Sequence, residues 1–531
     1  MSTAGTLAWP ITRALQTNPD GEAIVDGATR LTYAEWARRI RGLTAGLRTI
    51  GLRSGDVVAT IAQNTYRHLE CRMGIPGAGV VLNDLNYRLA VPELEFIVTD
   101  CGARALVADG AYLAVATELK ALCASVETLI FAGDGPAPEG WVHWDDLCAA
   151  EPLDPSHPEL AAITDATLAS ISYTGGTTGL PKGVMQSHGN LLANAKHMLM
   201  SNPISRRDRF IHAAPMFHAA DAANTFAFTF VGGAHICIPG FEPELFARTV
   251  EAEKVTVALI VPTMINMLVN HPSVKDRDFS AWRLLMFGAS PMPTEVLLKA
   301  CEVLPCSFVH LYGMTEAAPL VTSTQADDNR RGAAGEEPQK TRLASCGQAV
   351  PGVEVEVRRP DGSLCNVGEA GEVHVRGPNV MLGYWKRPEE TAKALVGHGW
   401  YASGDVAWAD DDGYLFIVDR AKDMIISGGE NIYTTEVENA VFRHPAVLEV
   451  AVFGIPHETF GEMVHAEVVT KPAMTVTVDE IVATCREHIA GYKVPRSVSI
   501  RTELLPKSGA GKILKRDLRD PYWEGKDRAV N

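Results

Sequence analysis

Residues 172–183 read SYTGGTTGLPKG, a run of glycines and hydroxyl side chains that ends with a lysine and a glycine. Glycine lets backbone N–H groups approach an anion closely, Thr and Ser hydroxyls add donors, and lysine supplies a positive charge. The stretch therefore predicts a loop that holds phosphate groups. It does not fit the nucleotide-loop pattern G-x-x-x-x-G-K-[ST], and neither does GAGK at residues 509–512. Taken alone, it also fits an ordinary Gly/Thr turn.

Four further segments decide between these readings. In chain order they are LYGMTE at 311–316, YASGD at 401–405, DRAKD at 419–423 and PKSGAGK at 506–512. With SYTGGTTGLPKG, they resemble the ordered motifs of the acyl-adenylate-forming superfamily, which includes acyl-CoA synthetases, amino-acid adenylation domains and beetle luciferases. The resemblance spans about residues 25–520, and its acyl-CoA synthetase branch fits best.

Length and composition set the class of protein. A chain of 531 residues is too long for one core, so two or more domains are expected. A hydrophobic fraction of 46% with 21% charged residues is typical of a soluble globular protein. The longest apolar region, 255–269, is interrupted by Thr256, Pro262, Thr263 and Asn266, which predicts no integral membrane association. The N-terminus has no targeting pattern, so the cytoplasm is the expected location.

Cysteines and charge exclude several function classes. The ten cysteines include no C-x-x-C pair, which favours reduced thiols over disulfides or a zinc site. No H-E-x-x-H or G-x-S-x-G occurs, which argues against metalloproteases and serine esterases. A net charge of −16 argues against nucleic acid as a partner. The tail from residue 491 is basic, which indicates either a solvated face or a segment that meets polyphosphate.

The alternation of short apolar runs with amphipathic helical patterns predicts an α/β protein in two domains. Residues 1–420 are expected to form layered α/β subdomains, with sheets covered by helices and a small β-barrel-like part, and 421–531 a small, mobile α+β domain. In the small domain we expect a helix from about Thr435, strands near 449–454, 463–471 and 497–503, and a helix near 478–490. Capping boxes are predicted at Thr435/Glu438 and Thr477/Glu480, and residues 324–342 as a surface loop or subdomain boundary.

The resemblance implies a two-step reaction that uses ATP, Mg²⁺ and coenzyme A. A carboxylate and Mg·ATP give an acyl-adenylate and pyrophosphate, and a thiol then displaces AMP. Phosphate binding is assigned by resemblance to Thr174, Gly175, Gly176, Thr177, Thr178, Gly179 and Lys182. The rest of the nucleotide site is assigned to Gly288, Ala289, Ser290, Leu311, Tyr312, Gly313, Met314, Asp405, Ile417 and Arg420.

Particular roles follow from the same resemblance. Tyr312 would stack on adenine, and Asp405 would accept hydrogen bonds from the ribose. Glu316 and Thr178 would hold Mg²⁺, and Thr315 would lie close to the α-phosphate. Arg420 would add a donor to the ribose or phosphate. Without these motifs, Tyr312 reads as a core residue, and Asp405 and Arg420 read as ordinary surface charges.

The remaining assignments concern the small domain. Lys512 would be the catalytic lysine of adenylation, reaching the carboxylate and the α-phosphate when the small domain closes. Lys422 would be the hinge, and Gly428, Gly429 and Glu430 would line the route of the CoA thiol. Asp419 stands where many family members have glycine, which predicts less freedom just before the hinge.

The acyl site is assigned to Phe217, His218, Ala219, Val261, Gly288 and Gly313. His218 is expected to act as a gate or wall rather than as a general base, and Asp221 to orient His218 or to cap a helix. Many alanines around this region suggest room for a bulky hydrophobic acid, although close helix packing explains them equally well.

Three alternatives to an acyl-CoA synthetase are open at this point. An adenylating enzyme could load a carrier protein or stop at acyl-AMP, and a luciferase-like oxygenase uses the same adenylate. A non-catalytic nucleotide- or acyl-binding protein would usually have lost a phosphate-loop residue, the glutamate or the lysine, and all are present. The expected partners are a carboxylic acid, ATP and CoA, with a homodimer as a further expectation.

Overall fold

The computed structural model describes residues 5–154, 156–174, 181–420, 423–428, 430–508 and 511–524. Several predicted site residues lie outside this part of the chain: Gly175, Gly176, Thr177, Thr178, Gly179, Lys422 and Gly429.

The strands, in chain order, are β1 (Glu22–Asp26), β2 (Thr29–Thr32), β3 (Val57–Ile61), β4 (Val81–Asp84), β5 (Ala103–Ala108), β6 (Thr128–Phe131), β7 (Val142–His143), β8 (Leu168–Thr174), β9 (Lys182–Ser187), β10 (Arg209–His212), β11 (Ala234–Cys237), β12 (Val257–Ile260), β13 (Leu284–Gly288), β14 (Ser307–Gly313), β15 (Leu320–Ser323), β16 (Gln348–Ala349), β17 (Glu354–Arg358), β18 (Gly371–Arg376), β19 (Gly383–Tyr384), β20 (Leu395–Val396), β21 (Trp400–Ala409), β22 (Leu415–Arg420), β23 (Ile425–Ser427), β24 (Glu430–Ile432), β25 (Val447–His457), β26 (Gly461–Thr470) and β27 (Ser497–Arg501).

The helices are α1 (Ala8–Thr17), α2 (Tyr33–Thr49), α3 (Tyr66–Gly77), α4 (Val91–Cys101), α5 (Leu113–Leu122), α6 (Trp144–Cys148), α7 (Pro158–Ala161), α8 (His188–Ser201), α9 (Ala219–Val231), α10 (Pro243–Ala252), α11 (Pro262–Val269), α12 (Thr294–Val303), α13 (Ala326–Ala333), α14 (Gln339–Arg342), α15 (Pro388–Ala394), α16 (Thr434–Phe442), α17 (Val478–His488) and α18 (Lys515–Trp523). No helix in the described part of the chain combines the length and apolarity needed to cross a bilayer.

Two large sheets organise the first 400 residues. The first sheet has the order β16-β15-β14-β13-β12-β10-β11-β1-β2, and the second has the order β19-β9-β8-β4-β3-β5-β6-β7. Most neighbouring strands are parallel, whereas β15, β16, β2, β9 and β19 pair antiparallel at the edges. Central strands such as β12 and β13 are buried along their whole length, as expected when helices cover both faces of a parallel sheet.

Helix α9 lies in the core that both sheets share. Phe226 and Phe228 of α9 belong to the same buried cluster as Val184 of the second sheet and Met286 of the first sheet. Nine of its thirteen residues are buried. A helix that is buried nearly all round needs internal partners for its polar groups. The polar residues of α9 therefore have to be explained within the core.

A third sheet, β17-β18-β21-β20 with β22 beside β21, forms a half-barrel and is antiparallel throughout. The fourth sheet contains only residues after 424. Its strand order is β24-β23-β26-β25, with β27 beside β26, and α16, α17 and α18 pack against its strands. The α/β architecture with a C-terminal α+β part is confirmed, and the helices and strands predicted there occur close to the expected positions.

One predicted capping box exists and the other does not. Thr477 and Glu480 form the reciprocal cap of α17. Helix α16 instead begins after Tyr433 without a side-chain cap. Thr435 donates its hydroxyl to the carbonyl of Val418, and Asp419 accepts a hydrogen bond from the backbone N–H of Thr434 at 2.7 Å. The prediction at Thr435 was wrong because a carboxylate distant from the helix serves its N-terminus.

The stretch 324–342 also differs from the expected loop, because it contains α13 and α14. Asn329 on α13 donates hydrogen bonds to the carbonyl of Phe308 and to the hydroxyl of Thr324, which ties the helix to the first sheet. The polar composition of residues 324–342 therefore belongs to exposed helices, and the buried side chain of Asn329 holds α13 against the first sheet.

Candidate active site

The carboxyl ends of β13 and β14 form one wall of the candidate site, which is where open α/β sheets usually bind ligands. A side chain at Gly288 would collide with the carbonyl oxygen of Leu311, and one at Gly313 would collide with that of Pro319. These two glycines are therefore required by close backbone packing. Ala289 follows with a φ of 68°, a left-handed conformation that is strained for alanine.

Tyr312, Asp405 and Arg420 come together beside this wall. The Tyr312 hydroxyl donates to Oδ2 of Asp405 at 2.8 Å, and Nε of Arg420 lies 3.4 Å from Oδ1 of the same carboxylate. Asp405 is buried on β21, whereas the Arg420 side chain is about half exposed at the end of β22. Asp405 and Arg420 are partners across the β21–β22 pair, and Tyr312 joins them from β14, about 90 residues earlier in the chain. Ile417, on β22, packs against the adjoining core.

Glu316 lies in a short 3-10 turn, Thr315–Ala317, directly after β14 and Met314. Its Oε1 accepts a hydrogen bond from the Tyr384 hydroxyl at 3.0 Å. Burial raises the pKa of Glu316, and the Tyr384 hydrogen bond and the charge of Arg420 oppose that rise. The turn is held against β9, because Gln186 donates its side-chain N–H to the carbonyl of Thr315 at 2.7 Å.

The described residues on either side of the predicted phosphate loop lie on the same sheet. Thr174 ends β8, Lys182 begins β9, and the two residues are paired across the hairpin. Nζ of Lys182 lies 5.2 Å from the centre of the Tyr384 ring. Because the hydroxyl of Tyr384 binds Glu316, one ring connects the predicted phosphate lysine with the predicted metal ligand.

Lys512 enters the site from the C-terminal part of the chain. The hydroxyl of Thr263 donates to the carbonyl of Gly511 at 3.2 Å, and the side chain of Asn266 donates to the carbonyl of Leu448 at 2.9 Å. Both contacts join α11 to the small sheet and its tail. Val261, an expected acyl-site residue, lies beside Gly511 and thus beside the segment that carries Lys512.

The pKa of Lys512 reflects the charged residues that lie near its ammonium group. Burial lowers the pKa of Lys512 to about 8, the positive charge of Arg420 adds to this effect, and Asp405 and Glu316 oppose it. The ammonium group is thus close to the same residues that the motifs assign to the nucleotide and the metal. The sequence predicted this convergence across some 200 residues of chain, and the structure brings the side chains together.

His218 precedes α9 and accepts a hydrogen bond at Nδ1 from the N–H of Ala220 at 3.3 Å. Burial lowers the pKa of His218 to about 3, with smaller contributions from Lys512 and Arg72. Near neutral pH the imidazole is uncharged and a weak base. Such a group is suited to forming a wall and poorly suited to general-base catalysis.

Asp221 has neither of the roles expected for it. Its Oδ1 lies 2.7 Å from Nδ1 of His212, whose Nε2 is 2.9 Å from Nδ1 of His235, and Nε2 of His235 is 3.0 Å from the hydroxyl of Thr229. All four side chains are fully buried. The expectation was wrong because α9 turns Asp221 towards β10, away from His218. This chain of hydrogen bonds provides partners in the core for Asp221 Oδ1 and for the hydroxyl of Thr229 on α9.

Of the predicted thiol-route residues, Gly428 and Glu430 are described, and they lie at β23 and β24 of the small sheet. Gly428 has a φ of 61° and donates its N–H to the carbonyl of Phe460 at 2.9 Å. A side chain on Gly428 would lie 3.3 Å from the Phe460 ring. Glu430 is exposed on β24. Lys512 belongs to the same C-terminal part of the chain, between β27 and α18, and its ammonium group lies near the predicted nucleotide residues.

A small cavity of about 30 Å³ adjoins the predicted acyl residues. Phe217 and Ala219 contribute to its wall, with Ala222 and Phe226 from α9 and Ala318 from the turn after β14. Its lining in the described chain does not include Val261, Gly288 or Gly313, which lie with Lys512 and the strand ends. The expected acyl-site residues therefore fall into two groups, with His218 between them. Ser290 lies half-buried just beyond Gly288.

The residues present fit a magnesium ion that arrives with the nucleotide. In the described residues no group of three or more His, Cys, Asp or Glu side chains could hold a metal. Mg²⁺ in phosphate-transfer sites is typically held by one or two carboxylates together with phosphate oxygens and water. Glu316 is a carboxylate of that kind, half-buried beside Lys182 and Tyr384.

Sequence reasoning missed Tyr384, Gln186 and Arg72, which belong to none of the motifs. Tyr384 supports Glu316, Gln186 fixes the Thr315 turn, and Arg72 lines the cavity. No local pattern identifies them, because each acts through a residue that is far away in the chain.

Comparison with known proteins identifies the family of the chain. Residues 11–385 match the family model "AMP-binding enzyme" and residues 436–512 match "AMP-binding enzyme C-terminal domain". The chain is 40% identical over 524 residues to a feruloyl-CoA synthase of Amycolatopsis sp, covering 98% of this chain and 99% of the relative. It is 34% identical over 511 residues to 3-[(3aS,4S,7aS)-7a-methyl-1,5-dioxo-octahydro-1H-inden-4-yl]propanoyl:CoA ligase of Rhodococcus jostii (strain RHA1), covering 94% and 95%.

Among solved structures, the amide bond synthetase McbA from Marinactinospora thermotolerans is similar, with a TM-score of 0.86 and 27% identity, covering 97% of this chain and 99% of that one. The chain therefore belongs to the AMP-binding enzyme family, the adenylate-forming superfamily whose acid–CoA ligases use ATP, Mg²⁺ and coenzyme A.

Proposed function

We propose that this protein is an AMP-forming ligase that joins a bulky, mostly hydrophobic carboxylic acid of aryl or polycyclic type to coenzyme A. The observation that carries the proposal is the position of Lys512 among Asp405, Glu316 and Arg420, beside the ends of β13 and β14. A cation, a metal-binding carboxylate and nucleotide ligands at one point are what acid adenylation requires.

In the first step, a substrate carboxylate oxygen attacks the α-phosphorus of ATP and the bond to pyrophosphate breaks. Lys512 would stabilise the negative charge that develops on the carboxylate and α-phosphate oxygens. Tyr312 and Asp405 would hold the adenosine, and Lys182 the departing phosphates. Mg²⁺, when bound at Glu316, neutralises phosphate charge. His218 would close the acyl side as an uncharged wall.

In the second step, the thiol of coenzyme A attacks the acyl carbon and AMP leaves. Gly428, Gly429 and Glu430 would line the thiol route, which requires the small domain, proposed as residues 421–531, to turn about Lys422. The hydrogen bonds that would have to break in that rotation include those from Thr434 to Asp419 and from Thr435 to Val418. On the side of α11 they include those from Asn266 to Leu448 and from Thr263 to Gly511. Asp419, at the glycine-replacing position, thus helps to hold the arrangement in which Lys512 faces the nucleotide.

The class of acid rests on two kinds of support. By their names, the two relatives described above act on a phenylpropenoic acid and on a bicyclic propanoic acid, which are bulky and cyclic. Ala219 and Ala222 border the cavity beside His218, and their small side chains obstruct a bulky acid less than larger residues would. The cytoplasm remains the proposed location, supported by the ten free cysteines, and a homodimer remains a proposal for a sizing measurement.

A panel of carboxylic acids tests the proposed function. With ATP and Mg²⁺, aryl and polycyclic acids should release pyrophosphate with kcat/KM at least about 10²-fold above acetate, because each buried CH₂ adds on the order of 0.8 kcal/mol. Thioester should form only after coenzyme A is added. Pyrophosphate release without any thioester would instead favour an enzyme that loads a carrier protein or stops at acyl-AMP. Equal kcat/KM values for acetate and the cyclic acids would contradict the proposed acid class.

The lowered pKa of Lys512 predicts a pH dependence. A lysine with a pKa of about 8 is charged below that pH and loses its proton as the pH rises through it. We therefore expect kcat/KM for ATP in pyrophosphate release to fall about tenfold per pH unit above pH ~8, while kcat is less affected because bound phosphates retain the proton. Lys512→Arg should move the decline to higher pH, since guanidinium stays protonated. A flat wild-type profile between pH 7 and 10 would contradict this assignment.

A further inference from the structure

Lys515 lies three residues after Lys512 and binds the start of α16. Its Nζ lies 2.8 Å from Oε1 of Glu438 and donates to the hydroxyl of Thr434 at 2.6 Å. Oε1 of Glu438 also accepts the backbone N–H of Val452 at 2.9 Å. All of these contacts lie within the C-terminal part of the chain. Lys515 and Glu438 therefore stay together wherever that part is placed.

Thr434 extends this network to the half-barrel. Its backbone N–H donates to Oδ2 of Asp419 at 2.7 Å, and Oδ1 of Asp419 accepts the N–H of Arg420 at 2.8 Å. Asp419 lies on β22, which pairs with β21 of the half-barrel. Both Thr434 and Asp419 are buried. Thr434 thus connects a lysine of the C-terminal part with a carboxylate that precedes it on another sheet.

The network contains one lysine and two carboxylates. Burial lowers the pKa of Lys515, but the charges of Glu438 and Asp419 outweigh that effect and leave the pKa raised. Burial raises the pKa of Asp419, and the charge of Lys515 is the largest of the effects that oppose this rise. The charges of Lys515 and Asp419 therefore stabilise each other between β22 and the tail, in a poorly solvated region where screening is weak.

The stability of the helices does not explain the position of Lys515. It is the first residue of α18, and its ammonium group binds Thr434, the first residue of α16. A cation at the N-terminus of a helix is opposed by the helix dipole. Glu438 alone already neutralises this cation. A second carboxylate from the half-barrel is explained if Lys515 also acts between the two parts of the chain.

Lys512 is fixed to Lys515 through a closed turn. Ser508 donates its N–H to the carbonyl of Lys512 at 2.7 Å and accepts the N–H of Lys512 at its hydroxyl at 3.2 Å. The N–H of Leu514 donates to the carbonyl of Pro506 at 2.8 Å, and Lys515 follows directly. A shift of Lys515 relative to β22 is therefore passed on to Lys512.

We propose that Lys515 is a positioning residue for adenylation: together with Thr434 and Asp419 it forms an electrostatic latch that holds the C-terminal part where Lys512 faces the nucleotide. The inference rests on the proposed function. When the C-terminal part rotates for the thiol step, Lys515 keeps Glu438, whereas Asp419 loses the N–H of Thr434 and the charge of Lys515. The latch thus sets the balance between the two half-reactions without touching the substrate.

The ratio of two single-turnover rates tests the latch. One is pyrophosphate release from ATP and the best acid of the panel, and the other is acyl-CoA formation from the supplied adenylate of that acid. If the two arrangements exchange rapidly, each rate is proportional to the population of its own arrangement, so the ratio reports their equilibrium whichever predominates.

Asp419→Asn keeps the shape and one acceptor oxygen but removes the charge. It should lower the ratio of pyrophosphate release to acyl-CoA formation about tenfold, as expected when a hydrogen bond loses its charged partner. Lys515→Met should lower the ratio at least as much, and Lys515→Arg, which keeps the charge, should retain most of it. The double variant should resemble the single variants, because the second substitution removes the partner of an interaction that is already broken.

Lys507→Met is the matched control. Lys507 also pairs with a buried glutamate of the C-terminal part, Glu449, which in addition accepts the N–H of Leu505 at 3.0 Å. This pair lies on the same tail but has no carboxylate of the half-barrel in its network of described contacts. Its loss should disturb the tail as much and leave the ratio of the two rates unchanged.

Each outcome decides the inference. If Lys515→Met does not fold, Asp419→Asn decides alone, because it leaves Lys515 bound to Glu438. Equal loss of both half-reactions in Asp419→Asn, or a ratio lowered as much by Lys507→Met, would reduce the network to a structural role and overturn the latch. An unchanged ratio in Asp419→Asn, with an active wild type, would also overturn it. A wild type that forms no acyl-CoA from any acid or adenylate would instead overturn the proposed function, and the latch with it.

Discussion

Replacing Lys512 with alanine is expected to reduce ATP-dependent pyrophosphate release by about 10²-fold or more. The ammonium group stands beside Asp405, Glu316 and Arg420, where negative charge develops as the α-phosphate is transferred. Loss of one preorganised charge at such a position typically removes two to three powers of ten in rate. The measurement is the single-turnover rate of pyrophosphate release at saturating ATP and acid.

The same variant should convert a supplied acyl-adenylate to acyl-CoA at nearly the wild-type rate. That second half-reaction requires the thiol route, from which Lys512 is absent in the proposed mechanism. Lys471→Ala is a suitable control, because Lys471 belongs to the same C-terminal part and its Nζ donates to the exposed carbonyl of Pro445. An equal loss in both half-reactions of a folded Lys512→Ala variant would contradict the division of labour and the rotation about Lys422.

The elements of the fold were largely predictable because their signals are local. The strands predicted near 449–454 and 463–471 occur as β25 and β26, and Thr477 with Glu480 marked the start of α17. The error at Thr435 shows the limit of such signals. A capping pattern describes only four residues, whereas the N–H of Thr434 is bound by Asp419, which lies fifteen residues earlier on another sheet.

The residues of the candidate site likewise fall into those that a local sequence pattern predicted and those that it did not. The motifs pointed to Tyr312, Glu316 and Lys512, because a family resemblance implies which residues of separate motifs lie together in the fold. Nothing comparable indicates Tyr384 or Arg72, whose roles arise only when distant strands and helices meet. Asp221 is instructive because it is next to the motif residue His218 in the chain and yet binds His212 in the core. Proximity in sequence suggested a role that the direction of α9 excludes.

The uncharged amide of Glu316→Gln should lower kcat/KM for pyrophosphate release by about 10²- to 10³-fold and raise the Mg²⁺ concentration that gives half-maximal rate. Glutamine fills the same volume and can still accept the Tyr384 hydrogen bond, so the 3-10 turn should remain intact. What is lost is the negative charge that a hard divalent cation prefers as a ligand. The effect should therefore exceed that of Tyr384→Phe, which keeps the carboxylate and removes only its orienting donor.

Binding measurements distinguish a metal ligand from a structural residue. In the wild type, Mg²⁺ should increase the calorimetric affinity for ATP, and in Glu316→Gln this increase should be mostly lost while metal-free ATP binding is unchanged. Glu354→Gln provides the control, because Glu354 is exposed on the half-barrel and paired only with Arg376 among the described residues. If Glu316→Gln retained the wild-type Mg²⁺ dependence in both assays, Glu316 would not be the metal ligand, and the ion would have to be held by the phosphates and other groups. The motif alone cannot make that distinction, because a buried glutamate bound by Tyr384 would have the same place in the fold whether it held a metal or only closed the turn after β14.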